Sequence, residues 1–402
     1  MGRFVRRQGR GSLVADSVTS LSTLRTRLVD WLVITAYPLW SRCGIDMRNG
    51  GFVEALAANA APLSSPRRLR VQARQIYAFA QASALGWQHD TTPIIRRGLR
   101  YMEDCYRRPD GLYRTLVEST GAPLDQNALL YDHAFVLLGL SSAAHILEDR
   151  TDLERCALEL RNLMEHRWRL PGGGFLSDDA ARNVREANPH MHLLEACLAW
   201  GEIGKDPSWT ASVEELAELA ITRFINPQSG AIHETFCSKW GPAPGLAGRI
   251  VDPGHQFEWA WILMRCRGKN IARNRSAALR LIEYGELRGI RDGAAVNAIL
   301  SDGSVHDPKA RLWPQTERLK AALLALEITN DAKFVDIAVE AAGTVLRYLE
   351  TDIPGLWRDE RSAEGGFSAG SSPASSFYHL VGAIAELSRY KRLRHRDEWV
   401  SQ

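Results

Sequence analysis

The chain has 402 residues, 45% of them hydrophobic and 24% charged, a balance that excludes global disorder and supports one large core or two smaller ones. Fifty Lys and Arg against 47 Asp and Glu leave a formal charge of +3, too small to point to nucleic acid. No apolar run approaches the roughly 20 residues of a membrane-spanning helix. Residues 1–15, with Arg3, Arg6, Arg7 and Arg10, read as a solvated basic tail, and residues 16–402 as a single domain. No apolar stretch follows the basic start as a secretory signal requires, so a cytoplasmic location is expected. The six cysteines are scattered without a C-x-x-C pair and read as reduced, buried thiols rather than a disulfide or zinc framework.

In chain order, amphipathic helical segments alternate with glycine-centred turns. A helix over Leu21–Ser41 leads to Asn49-Gly50-Gly51-Phe52 and a second helix over Leu69–Leu85. Ile94–Arg107 leads to Asp110-Gly111-Leu112-Tyr113 and Leu130–Leu147. Leu153–Arg169 leads to Gly172-Gly173-Gly174-Phe175 and His190–Gly201. Val213–Phe224 leads to Ser229-Gly230-Ala231-Ile232 and His255–Arg267. Ala277–Leu287 leads to Asp302-Gly303-Ser304-Val305 and Gln315–Ile328. Phe334–Leu349 leads to Pro354-Gly355-Leu356-Trp357 and Phe377–Tyr390. The turns recur about every 60 residues, the mark of one supersecondary unit used six times.

About twelve helices in six hairpins stack as an open array or close into a ring. An open array needs a polar capping repeat at its end. The last helix, with Phe377, Leu380, Val381, Ile384 and Leu387, is as apolar as an internal one. The expected fold is therefore all-α, an (α/α)6 toroid.

In such a ring the second helices run parallel, so their N-termini share one end, where helix dipoles favour negative charge. That end collects the unusual polar residues: Arg70 and Arg74; Tyr131-Asp132-His133; Asn188-Pro189-His190-Met191-His192; Asp252-Pro253-Gly254-His255-Gln256-Phe257-Glu258; Trp313-Pro314-Gln315-Thr316-Glu317; and Ser375-Ser376-Phe377-Tyr378-His379. Taken singly, these are ordinary core or surface groups. His255 and Glu258 share a helix face, whereas His190 and His192 point in different directions, so one of them is structural. Arg74 sits among apolar residues and requires an anion or a wet cavity. Trp313 fits a core or a sugar platform equally. Closure of the ring would bring histidines from three helices and an arginine from a fourth to one place.

The motifs Arg70-Val71-Gln72-Ala73-Arg74-Gln75-Ile76-Tyr77, Asp132-His133-Ala134-Phe135, Asn188-Pro189-His190-Met191-His192, Pro253-Gly254-His255-Gln256-Phe257-Glu258-Trp259 and Trp313-Pro314-Gln315-Thr316-Glu317 resemble the N-acylglucosamine 2-epimerase superfamily. That group includes mannose isomerases, sulfoquinovose isomerases and cellobiose 2-epimerases. The resemblance runs from about residue 20 to the last helix. It implies an (α/α)6 barrel that interconverts aldoses with ketoses or C2 epimers with no metal and no nucleotide cofactor. It implies His255 and His379 as general acid/base residues, His192 with Asn188 as a substrate-binding pair, and Arg74 as the holder of the reacting oxygens. Tyr131, Glu258, Trp313 and Gln315 would line the pocket, and Arg249 is a candidate for a further substrate contact. A homodimer is expected from the resemblance alone.

Moving a carbonyl from C1 to C2 requires removing the C2 proton and stabilising the enediolate that forms. Imidazole suits the base role because its ordinary pKa is about 6.5, and a nearby helix N-terminus is expected to lower it and keep the ring neutral. His379 is expected to take the C2 proton and return it to C1, with His255, oriented by Glu258, assisting ring opening. One base serving both carbons gives isomerisation, and two bases on opposite faces give epimerisation.

Arg311-Leu312-Trp313-Pro314-Gln315-Thr316-Glu317 most resembles the mannose isomerases, so D-mannose and D-fructose are the expected pair. The sequence shows no P-loop and no phosphate-binding run. The alternatives are 2-epimerisation of N-acetylglucosamine and N-acetylmannosamine or of mannose and glucose. A more distant one is an (α/α)6 glycoside hydrolase or lyase, for which Asp132, Glu195, Glu258 and Glu317 offer acids.

Overall fold

The computed structural model describes residues 9–180 and 184–390. Among the described residues twelve helices alternate between an outer and an inner ring. The first outer helix is continuous through α1 (Gly9–Asp30), a π-helical segment (Trp31–Ala36) and α2 (Tyr37–Cys43). The inner helix α3 (Leu69–Ala80) follows, then outer α4 (Thr92–Tyr101) and inner α5 (Leu130–Ile146). Outer α6 (Arg150–Trp168), α8 (Ser208–Leu219), α10 (Ile271–Gly289) and α12 (Lys333–Tyr348) alternate with inner α7 (Ala187–Ile203), α9 (Pro253–Arg265), α11 (Leu312–Thr329) and α13 (Ser375–Arg389). Each inner helix contacts the next, and α13 returns to α3. The expected toroid is therefore closed. Among the described residues no helix is long and apolar enough to cross a membrane, and all six cysteines are free thiols.

Closure has identifiable causes. Trp40 of the first outer helix stacks on Trp357 of the sixth loop (4.7 Å, 15°) and on Phe377 of the sixth inner helix (5.6 Å, 21°). Its indole N–H donates to Gly355 O at 3.1 Å. Stacked aromatics of this kind add to their large apolar burial. The buried core runs from Leu21 to Tyr390.

The rim closes by a repeated device. The short segment before each inner helix pairs with the loop of the following unit: Arg67–Arg68 with Leu116–Val117, Leu129 with Asp178, Val184–Glu186 with Thr235–Cys237. The series continues with Ile250–Val251 on Ile299–Leu300 and Ala310–Arg311 on Glu360–Arg361. Ser372–Pro373 then pairs with Ala55–Leu56 of the first unit, completing the circle.

A second repeated device fixes each outer–inner hairpin. The backbone N–H just after the turn donates to the fourth residue of the inner helix: Phe52 to Gln72, Tyr113 to His133, Phe175 to His190, Ile232 to Gln256 and Ala295 to Gln315, all at 2.7–3.0 Å. In the sixth unit Trp357 N–H donates to the Ser372 hydroxyl (2.9 Å). This pattern corrects one expectation. The fifth repeat turn is Asp292-Gly293, not Asp302-Gly303: α10 runs on to Gly289, and Ala295 just past Asp292-Gly293 is the clipped residue. Asp302-Gly303 caps a separate hairpin between Ala298–Leu300 and Val305–Asp307. Of the segment expected as a basic tail, residues 1–15, residues 1–8 lie outside the described residues, and the backbone is helical from Gly9.

Candidate active site

Helical geometry sorts each inner helix into two functions. Residues four and six differ by about 200° around the axis, so when the fourth faces its own hairpin the sixth faces the ring axis. The sixth residues are Arg74, Phe135, His192, Glu258 and Glu317; on α13 the axial histidine, His379, is the fifth. The second residues, one turn nearer the rim, are Arg70, Tyr131, Asn188, Gly254, Trp313 and Ser376. These two layers enclose a cavity of about 480 Å³ lined by Arg70, Arg74, Tyr131, Asn188, His192, His255, Glu258, Trp313, Ser376 and His379, with Arg68 and Arg311 among its further lining residues. Gly254 is needed there: a Cβ on it would lie 2.6 Å from the Trp313 ring.

The three expected histidines meet in this cavity, and each has a carboxylate at Nδ1. His192 Nδ1 is 3.0 Å from Glu195 Oε2, His255 Nδ1 is 2.8 Å from Glu234 Oε2, and His379 Nδ1 is 2.8 Å from Glu317 Oε1. A carboxylate at Nδ1 holds the proton on that nitrogen and leaves Nε2 for chemistry. The rings of His255 and His379 lie 5.1 and 5.4 Å from that of Trp313.

Proton affinities differ sharply across the set. Burial pushes His192 down to about 4 despite Glu195, and pushes His379 well below the usual range, with Arg74, Lys320 and His192 acting in the same direction. Burial also disfavours charge on His255, but Glu234 and Asp252 outweigh it and raise that imidazole to about 10. The expectation of a neutral ring at a helix N-terminus thus fails for His255, because two acids face it. Its partner is also corrected: Glu234, in the loop before Thr235–Cys237, orients His255, while Glu258 Oε1 lies 4.0 Å from His192 Nε2. Burial, with Glu317 nearby, raises Glu258 well above the ordinary carboxyl range, and its Oε1 has no hydrogen-bond partner.

Arg74 is held by Tyr131, whose hydroxyl accepts from Nη2 at 2.7 Å, and by Ser375 O at 3.3 Å. Its guanidinium lies 4.2 Å from the Phe135 centroid. Asn188 reaches the cavity with a buried Oδ1 that has no protein partner. Two expected residues do not belong here. Gln315 is fully buried and spends both ends of its amide on backbone, accepting from Ala295 N–H and donating to Ala295 O and Arg311 O. Arg249 is exposed and paired with Asp302 at 2.7 Å, away from the cavity. His190 is the structural member of its pair: Nε2 accepts from Phe175 N–H and Nδ1 bonds Glu186 O.

Donor atoms of His192, Glu195 and Glu258, and of Glu258, Glu317 and His379, lie within 4.8 Å of one another. A cation is already present beside them, since Lys320 Nζ is 2.7 Å from Glu317 Oε2. The cavity also gathers Arg68, Arg70, Arg74 and Arg311. Arg68 pairs with Glu54 and Arg70 with Asp132, whereas among the described residues no carboxylate lies within ion-pair distance of Arg74 or Arg311. Sequence reading misses this convergence because Arg311 lies far along the chain from the other three.

Residues 50–383 match the model of the N-acylglucosamine 2-epimerase family. The chain is 42% identical to a mannose-6-phosphate isomerase of Rhizobium meliloti (strain 1021), over 90% of this chain and 95% of that one. It is 24% identical to a D-mannose isomerase of Marinomonas mediterranea, over 80% and 86% of the two chains. Cellobiose 2-epimerase from Spirochaeta thermophila DSM 6192 superposes with a TM-score of 0.82 at 21% identity, covering 97% of this chain and 99% of that one. The protein is an enzyme, a sugar isomerase or epimerase, and the chain belongs to the N-acylglucosamine 2-epimerase family.

Proposed function

We propose that the enzyme interconverts an aldose and its ketose, with D-mannose and D-fructose as the basic pair, through a cis-enediolate. The observation that carries this reading is the unequal pair of histidines beside Trp313: His379 neutral and His255 protonated, each with a carboxylate at Nδ1. His255, as imidazolium, donates to the ring oxygen as the hemiacetal opens. Nε2 of His379 takes the C2 proton of the open-chain aldose and returns it to C1. Arg74 and His192 hold O1 and O2 while the O2 hydroxyl proton passes to O1, and the planar guanidinium spans two adjacent oxygens as a lysine would not. Tyr131, Asn188, Glu258 and Trp313 shape the wall. Hydrolysis is disfavoured by the state of three candidate acids: Asp132, Glu195 and Glu317 are engaged by Arg70, His192 and His379, whereas a hydrolase needs two available carboxyl groups across a scissile bond.

A second reading adds a phosphate at C6. The Arg311 guanidinium, 5.5 Å from the Trp313 ring centroid, makes no hydrogen bond or ion pair among the described residues, so its fork is open to a phosphate monoester, and the relative of highest identity reported above is named for mannose 6-phosphate. Incubating the enzyme in D2O with mannose, mannose 6-phosphate and N-acetylmannosamine, followed by NMR, tests both readings. A ketose forming first supports isomerisation, with deuterium at C1 to the extent that the proton on His379 exchanges with solvent before its return; a C2 epimer forming first replaces it with epimerisation. A preference for the phosphorylated sugar that disappears in Arg311→Met, with free mannose turned over as before, supports the second reading.

A further inference from the structure

We propose that Lys320 is a positioning residue that sets the tautomer of His379. Lys320 is on α11, one turn beyond Glu317, and is 2% exposed. It does not line the cavity. Its Nζ is 2.7 Å from Glu317 Oε2, and the other oxygen of that carboxylate is 2.8 Å from His379 Nδ1. The ammonium also lies 3.7 Å from the Trp261 ring centroid. Glu195 of α7, Glu258 of α9 and Tyr77 of α3 act on it or are acted on by it electrostatically, and Tyr378 of α13 bonds Glu195. One buried cation thus serves three buried carboxyl groups.

A buried carboxyl without a nearby cation takes up a proton. Burial pushes Glu317 up, and Lys320 is the main influence pulling it back. The protonation of Glu317 decides which nitrogen of His379 is the base. As a carboxylate, Glu317 only accepts, so the ring proton stays on Nδ1 and the Nε2 lone pair faces the sugar. As a neutral acid it donates O–H to Nδ1, the ring proton moves to Nε2, and no base faces C2. Lys320 therefore acts through Glu317 without touching substrate. During turnover the carboxylate also balances the charge of the imidazolium formed when Nε2 accepts the C2 proton.

The catalytic consequence rests on His379 being the base, but the tautomer is readable without turnover. Histidine 15N spectra of the full chain at neutral pH, assigned by comparison with His379→Gln, should show Nδ1 of His379 protonated and Nε2 bare. Lys320→Met should exchange the two and lower kcat at least about 100-fold with KM within a few-fold; Lys320→Arg should restore both the spectrum and most of kcat. Folded Lys320→Met with an unchanged tautomer overturns the proposal, as does an Nε2–H tautomer in the unmodified chain, and full kcat with the two nitrogens exchanged overturns its catalytic consequence. If Lys320→Met does not fold, Lys320→Gln, which keeps a donor to Glu317 and removes the charge, carries the same expectations. Full activity in His379→Ala would instead remove the base reading and leave the tautomer assignment standing.

Discussion

His255 and His379 each lie beside the Trp313 ring, at 5.1 and 5.4 Å between centroids, yet hold their protons with opposite strength. His255 is raised to about 10 by Glu234 and Asp252 against its burial, and His379 is depressed by burial, Arg74 and Lys320. An acid and a base are therefore present together over a wide range of pH. The profile of kcat/KM should be a broad plateau whose alkaline limb reports loss of the His255 proton. Glu234→Gln removes the main charge that holds this proton, so the limb should move to lower pH by roughly 1–2 pH units. An unchanged limb in that variant would detach Glu234 from His255.

Removing the base should affect chemistry rather than binding. His379→Ala is expected to lose roughly 10³-fold in kcat, within the range for a general base, with KM changed only a few-fold. Exchange of the substrate C2 proton with D2O should fall in parallel. If exchange persists at the original rate while net isomerisation stops, another group removes the proton and His379 acts later.

Gln315 and Arg249 separate structure from function. Gln315→Ala leaves the buried Ala295 N–H and C=O without their partner, at a cost of about 1–3 kcal/mol for each unsatisfied group. A lowered Tm is expected, with kcat/KM of the folded fraction within about threefold of the parent. Arg249→Ala, at an exposed ion pair, should change neither Tm nor kcat/KM measurably, since such pairs contribute about 0–1 kcal/mol. A large rise in KM in either variant would return that residue to the substrate site.

These two residues also mark where the sequence was informative and where it was not. Helix periodicity and the apolar last helix were enough to indicate the closed ring, because burial of one helix face is a local pattern. His192, His255, His379 and Arg74 could be placed together once the ring was closed. Gln315 and His190 carry the same kind of local signal as the site residues, polar groups in the first turns of inner helices, but stand about 200° from the axis-facing positions. Counting from each helix start would have shown the shared fourth position of Gln72, His133, His190, Gln256 and Gln315. Glu234 was not visible, since it comes from a loop and is brought to His255 by tertiary contacts, the Ile232 clip to Gln256 and the Asp252 N–H that donates to Glu234 Oε1. Lys320 reads as an ordinary helical lysine until the burial around it is known.

Chelation tests the charge arrangement of the cavity floor. Lys320 already supplies a cation to Glu317, and His192 and His379 are fixed by hydrogen bonds from Nδ1 to carboxylates. Prolonged dialysis against EDTA should leave kcat and KM unchanged. Loss of activity restored by a divalent ion would mean that the cluster of His192, Glu195 and Glu258 or that of Glu258, Glu317 and His379 holds metal.

The clip histidines predict a specific acid weakness. His133 and His190 are fully buried, and burial lowers each to about 4, against about 6.5 in an unfolded chain. The unfolded state therefore binds more protons between these values. The stability these groups contribute is complete above about pH 6.5, declines as pH falls, and levels off below about 4, with a loss on the order of 2 kcal/mol for each at pH 5. Glutamine performs the same task elsewhere in the ring: Gln256 and Gln315 accept from the hairpin N–H and donate to the carbonyl four residues back, as His133 and His190 do. His190→Gln should keep the clip and have no proton to gain, so its Tm should fall less than the parent's between pH 7.5 and pH 5. If both proteins lose the same Tm over that interval, protonation of His190 does not limit acid stability, and other buried groups, His133 or His192 among them, set the loss.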